Sequence, residues 1–276
     1  MRRQADGARM GQGSVPMETI DLAGVQLDLD VQGSGPPMLY LHPEHYAHLH
    51  APFVDRLAER WTLYAPRHPG FDGRTPPSDF RRVDDLAYLY LDLLDHLGLE
   101  SVALLGASFG GWIALEMAVR SSARLKALGL IAPLGVKFGG RSARGFTDLS
   151  ALPEADAAHC LFAGPTPDHA IFSDAEMIAV ARDRQYLAYY AWKPYLHNPA
   201  LARWLHRVAA PVHLLWGAQD GYADPALGGA LAERMPAARL EILPGAGHYP
   251  QIERPDDTLA ALAAGPCATV APNSGD

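Results

Sequence analysis

The chain has 276 residues, 49% of them hydrophobic and 20% charged, and its 23 Lys and Arg against 31 Asp and Glu give a formal charge of −8. That apolar share supplies a core and argues against wholesale disorder, and the length suits one α/β domain with room for an insert. Net acidity without a basic run argues against nucleic acid or an anionic membrane surface as the main partner.

Residues 1–16 are rich in Gly, Ser, Gln and charge, without periodicity, and are expected to form a mobile arm. Alternation begins at 18: residues 19–22 and 25–31 read as two half-exposed strands joined at Ala23-Gly24. Gly33-Ser34-Gly35-Pro36-Pro37 is a turn before a short apolar strand, Met38-Leu39-Tyr40-Leu41. Helix 51–60, strand 61–66, helix 83–97 with its stop at Gly98, strand 102–105, helix 110–120 and strand 127–131 then alternate. Short, continuously apolar strands interleaved with helices predict a parallel sheet covered on both faces.

The rhythm breaks between about 136 and 206, where helical pieces at 153–162 and 174–192 are separated by Gly and Pro and no strand pattern occurs. Strand periodicity resumes at 212–216, with a helix at 225–235 and a strand at 239–243. The expected architecture is α/β: a mostly parallel, doubly wound core over 17–136 and 207–264, a helical cap over 137–206, and a tail over 265–276. A cap there covers the strand ends, where open α/β sheets put their ligands.

The central chemical signal is Gly106-Ala107-Ser108-Phe109-Gly110-Gly111, lying between the strand at 102–105 and the helix near 110. G-x-S-x-G at a strand–turn–helix junction strains the serine and pushes its hydroxyl out over the sheet. Serine alone is a poor nucleophile at neutral pH, so the site needs a base and an orienting acid. Both follow: Asp220 lies in the loop after strand 212–216, and His248 in the loop after the last strand. Asp224 competes for the acid role, but its position ahead of Pro225 equally suits a helix cap.

On these residues the chain resembles the α/β-hydrolase superfamily over about 18–260. Gly33-Ser34-Gly35-Pro36-Pro37, Pro69-Gly70-Phe71, Trp216-Gly217-Ala218-Gln219-Asp220 and the Gly-x-Gly-His-x-Pro-x-x-Glu-x-Pro segment at 245–255 also carry the resemblance. It implies an α/β-hydrolase fold and catalysis by Ser108, His248 and Asp220, with no metal or organic cofactor. It also implies an oxyanion hole after the third strand, usually His-Gly-x; here the segment is His42-Pro43-Glu44. Proline has no N–H, so the donors expected are the backbone N–H groups of Glu44 and Phe109. A carboxylate beside an oxyanion is unfavourable, which requires the Glu44 side chain to point away, be protonated or serve the substrate.

The expected function is a serine hydrolase acting on a small carboxylic ester, lactone or thioester. One alternative is a C–C hydrolase of ring-fission dienoates or β-diketones, whose His-x-x-Gln-x-Glu arrangement resembles His248-Tyr249-Pro250-Gln251-Ile252-Glu253 but whose elbow usually has Asn in place of Ala107. Another is a non-hydrolytic binding or cyclisation protein on the same fold. Serine at the elbow argues against the dehalogenase and epoxide hydrolase members, which use aspartate there.

His42, His45, His48 and His50 cluster near Glu44. They straddle a strand end and a helix start, so convergence on a metal is not expected; His42 and His45 are candidates for the pocket, and His48 and His50 for solvent. Tyr186, Tyr189, Tyr190, Trp192 and Tyr195 read either as cap packing or as a pocket wall, with Tyr189 and Trp192 carried forward as pocket candidates beside Trp112 and Tyr249. Cys160 reads as a small buried hydrophobe, and two cysteines make no disulfide framework. No apolar run reaches the roughly 18 residues that a membrane span needs. Residues 1–16 lack the apolar stretch of a secretory signal. A cytoplasmic protein with a small-molecule substrate is expected, as monomer or homodimer.

Overall fold

A computed structural model of the protein describes residues 17–140 and 145–270. The two alternating runs form β1 (Glu18–Leu22) and β2 (Val25–Gln32), an antiparallel hairpin with Ala23 and Gly24 at φ 52° and 82°. A two-residue hairpin turn demands positive φ at both positions, which Gly adopts freely. The chain continues through β3 (Pro37–Leu41), α1 (Ala47–Ala58), β4 (Thr62–Pro66), α2 (Val83–His96), β5 (Val102–Ala107), α3 (Phe109–Arg120) and β6 (Leu125–Ile131). Next come α4 (Glu154–Leu161), α5 (Asp174–Ala191) and the single turn α6 (Leu201–Trp204), with no strand among the described residues of that stretch. The chain then closes with β7 (Val212–Gly217), α7 (Ala226–Ala232), β8 (Ala238–Leu243), α8 (Pro250–Glu253) and α9 (Pro255–Ala263).

The eight strands make one sheet in the order β1-β2-β4-β3-β5-β6-β7-β8. Only the β1–β2 and β2–β4 pairs are antiparallel; every pair from β4–β3 through β7–β8 is parallel. The interior strands β3, β5 and β7 are buried along their whole length. Their period-2 alternation divides the core between the two faces. Val102 and Leu104 pack with Leu86, Leu93 and Ile113 of α2 and α3, while Ala103 and Leu105 pack with Phe53, Leu57, Leu259 and Leu262 of α1 and α9. Burying each leucine is worth about 1.5–3 kcal/mol.

Three expectations change. Helix α1 starts at Ala47, four residues before the expected position, and holds Pro52 inside it. Tyr46, at φ 59°, launches it from the left-handed region, and Pro52 simply leaves one carbonyl without its intrahelical donor. The expected tail is packed as far as it is described: Pro266–Thr269 form a 3₁₀ turn, and Cys267 and Val270 are buried against the α1/α9 face. Residues 271–276, the expected arm 1–16 and cap residues 141–144 lie outside the described residues. Helices α8 and α9 were not anticipated, although each begins at a proline, a favoured first helical residue.

Candidate active site

Ser108 is the hinge between β5 and α3 and holds φ 48°, ψ −111°, a strained conformation for a residue with a side chain. The neighbouring glycines make this turn possible. A Cβ on Gly106 would lie 2.5 Å from the Gly110 carbonyl oxygen, and one on Gly110 would lie 2.1 Å from that of Leu41. The elbow therefore presses against the end of β3, and Ser108 N–H is tied to the Ile131 carbonyl at 2.8 Å. Its hydroxyl stands at the carboxyl ends of the central strands.

Asp220 and His248 arrive from the loops after β7 and β8. Ser108 Oγ is 2.6 Å from His248 Nε2, and His248 Nδ1 is 2.8 Å from Asp220 Oδ2. The other Asp220 oxygen accepts from the N–H groups of Tyr222 and Ala223, both at 2.9 Å, which fixes the carboxylate plane. Asp224 instead accepts from Ala226 N–H at 2.9 Å, at the start of α7, so it caps. Both loops are stitched to the end of α4. The Cys160 carbonyl accepts from Gly221 N–H at 3.0 Å and the Leu161 carbonyl from His248 N–H at 2.8 Å. Glu253 closes the same seam, accepting from Gly247 N–H at 2.6 Å and from Gly164 N–H at 2.7 Å. Burial pushes the His248 pKa down, but the charge and hydrogen bond of Asp220, with the charge of Glu44, outweigh it and hold it above 6.5.

Glu44 is the unexpected member. Its side chain does not point away: it is completely buried against the elbow. Oε1 accepts from Ser108 Oγ at 2.9 Å and from the Tyr249 hydroxyl at 3.0 Å; Oε2 accepts from Phe109 N–H at 3.0 Å. The Phe109 N–H, one of the two expected oxyanion donors, is thus occupied by the Glu44 carboxylate. Burial raises its pKa, yet the influence of His45 and His248 and the hydrogen bond from Ser108 outweigh that and keep it below 4.5.

A cavity of about 340 Å³ lies under the helices between β6 and β7, lined by His45, Tyr46, Leu161, Arg184, Trp192 and Tyr222 among others. It holds two of the expected pocket residues, His45 and Trp192. Burial holds the His45 pKa down at about 4, and its Nδ1 has no hydrogen-bond partner among the described residues. Tyr249 lies outside the cavity lining, on Glu44. Three other expected pocket residues are elsewhere. His42 stacks on His68 at 3.8 Å and faces a separate cavity with Tyr40 and Arg67. Trp112 is buried, its indole N–H donating to Glu116 at 3.0 Å. Tyr189 is exposed, edge-on to Tyr190 at 5.1 Å. His50, expected in solvent, is buried, with Nε2 3.1 Å from the His45 carbonyl; His48 is half-buried, edge-on to Phe172. Cys160, expected to be buried, is half-exposed. Tyr222, missed in the sequence, packs edge-on to His248 at 4.8 Å; its place two residues beyond Asp220 was the available signal.

The chain can be compared with known proteins on this footing. It is 26% identical over 251 residues to haloalkane dehalogenase 2 of Mycobacterium tuberculosis, covering 84% of this chain and 88% of the relative. Among solved structures, a bacterial membrane phospholipase A superposes with a TM-score of 0.74 at 24% identity, covering 90% of this chain and 84% of the other. The 2-hydroxy-6-oxo-6-phenylhexa-2,4-dienoate hydrolase of Rhodococcus sp. strain RHA1 gives 0.69 at 22%, covering 90% and 98%. At these identities the structural matches speak to the fold. The model of the alpha/beta hydrolase family matches residues 33–262, spanning the elbow and both of the loops that meet it, and the chain belongs to that family.

Proposed function

We propose that the protein hydrolyses a small carboxylic ester, lactone or thioester through an acyl-enzyme on Ser108. The observation that carries this reading is the buried hydrogen-bonded chain from Ser108 through His248 to Asp220, on a strained elbow. Ser108 Oγ attacks the carbonyl carbon as His248 Nε2 takes the hydroxyl proton; the carbonyl π pair moves onto oxygen, where the N–H of Phe109 and of Glu44 receive it. On collapse the bond to the leaving group breaks, and that group departs with the proton from His248. Water then attacks the acyl carbon, giving its proton to His248, and the acid leaves as Ser108 regains a hydrogen. Asp220 holds the imidazole in orientation and stabilises its charged form throughout.

Ser108 also favours this reading over halide displacement, the activity in the name of the mycobacterial relative. The cavity suits a small molecule whose polar end meets His45, beside the Arg184–Glu154 pair. A fluorophosphonate probe tests the reading: it labels the wild-type protein, and labelling disappears in Ser108→Ala. Labelling that survives that substitution sinks the acyl-enzyme. Among substrates, p-nitrophenyl esters should turn over and a ring-fission dienoate should not; the reverse assigns C–C bond hydrolysis.

A further inference from the structure

The oxyanion site of this hydrolase is already filled by an anion belonging to the chain itself. Phe109 N–H, one of the two donors a reacting carbonyl oxygen needs, donates to the Glu44 carboxylate at 3.0 Å, and the Ser108 hydroxyl and the Tyr249 hydroxyl meet its other oxygen. The nucleophile is engaged too. A carboxylate has no proton to give, so the Ser108 hydroxyl donates to Oε1. The 2.6 Å approach of His248 is then a hydrogen bond only if Nε2 carries a hydrogen and donates to Oγ. With Nδ1 facing Asp220, that added hydrogen makes the ring an imidazolium held between the Asp220 carboxylate and the Ser108 hydroxyl, the direction in which its pKa is shifted. In that arrangement His248 cannot take the serine proton.

Access points the same way. Ser108 is only 1% exposed and Glu44 not at all. The cap cavity reaches His45 and Tyr222, the neighbours of Glu44 and His248, yet neither Ser108 nor Glu44 lines it. We propose that the Glu44 side chain is a tethered plug, which occupies the place of the substrate's carbonyl oxygen, seals Ser108 from the cavity, and must turn out before acyl transfer. This rests on the acyl-enzyme reading above. The carboxylate stands where the acid product of an ester would leave its own carboxylate, so the resting site resembles a product complex. The adjoining cavity offers the displaced group the unpartnered Nδ1 of His45, with Arg184 further along the lining and already paired to Glu154 at 3.1 Å. Tyr249, donating to Oε1 at 3.0 Å, acts as the latch.

The test is the second-order rate of fluorophosphonate labelling at Ser108 in the wild type, Glu44→Ala and Tyr249→Phe. Freeing the Phe109 N–H and the Ser108 hydroxyl from a charged acceptor should speed labelling of Glu44→Ala about tenfold or more. Tyr249→Phe, which removes only the latch, should label severalfold faster. Acetate should slow Glu44→Ala by entering the vacated site and leave the wild type unaffected, a response that a merely structural role of Glu44 does not produce. Wild-type protein that labels while folded Glu44→Ala labels no faster overturns the plug and leaves the acyl-enzyme standing; if Glu44→Ala does not fold, Tyr249→Phe decides in the same way. Failure of every folded variant to label removes the acyl-enzyme, and the plug with it.

Discussion

At the scale of single residues the site is governed by where protons rest. In the proposed mechanism His248 must be neutral to act as a base, and Asp220 and Glu44 hold its pKa above 6.5. The rate of ester hydrolysis should therefore rise with pH through a midpoint above 6.5. Stability runs the other way. The fold favours the imidazolium, so that contribution is fully present below the unfolded value of 6.5 and is lost as pH rises through the folded value. Glu44→Gln, which removes one of the two charges, should move the activity midpoint down. Asp220→Asn should move it down too and reduce kcat by about 10⁴-fold, because the ring loses its orienting acceptor. A pH–rate profile of kcat/KM for the three proteins checks this; a midpoint unmoved in Glu44→Gln shows that its charge does not reach the imidazole. The missing Pro43 N–H could be read from the sequence. The destination of the Glu44 side chain could not, since its partners at 108, 109 and 249 converge only in three dimensions.

At the scale of elements, the loops carrying Asp220 and His248 are held by one short piece of chain at the end of α4. Gly247 shows how close that approach is: a Cβ there would lie 2.6 Å from the Leu161 carbonyl oxygen. Glu253 spans the seam with one oxygen on each side, so Glu253→Ala leaves the buried Gly247 N–H without its acceptor and hands the exposed Gly164 N–H to water. The expected cost is about 1 kcal/mol of stability, read from denaturant unfolding, with kcat falling more than KM changes as the His248 loop loosens. Unchanged stability and kcat show that the seam holds without it. This element was half legible. The Glu253 motif could be recognised, but its acceptor role depends on Gly164, on the far side of the seam. The aromatic run of α5 divides by helical spacing: Tyr186 and Tyr190, four apart, face the body, where Tyr190 donates to the Pro69 carbonyl at 3.0 Å, and Tyr189 between them faces out. The i, i+4 rule contained that division. The placement of His42 and His50 together in a cavity apart from the one under the cap left no comparable mark in the sequence.

At the scale of the whole molecule, the sheet does two jobs whose energetics separate along it. Its central strands are legible in the sequence because continuous burial leaves continuous apolar runs, and the β1–β2 hairpin is as legible through its alternation, whereas the strand order is not. The central strands also set the spacing between the elbow and the two loops, so the site inherits their rigidity. The edge at β8 is different: Ile242 is 42% exposed there, while Leu104 at the centre is fully buried. Leu104→Ala removes packing against α2 and α3 and opens a void that the close-packed neighbours cannot fill, at an expected cost of about 2–5 kcal/mol. Ile242→Thr, a β-compatible change at a site open to water, should fall within about 0.5 kcal/mol of the wild type. Urea unfolding of both variants measures this, with midpoints shifting and slopes preserved. Equal losses at the two positions would mean that stability is spread evenly across the sheet and that the centre has no special claim to anchoring the elbow.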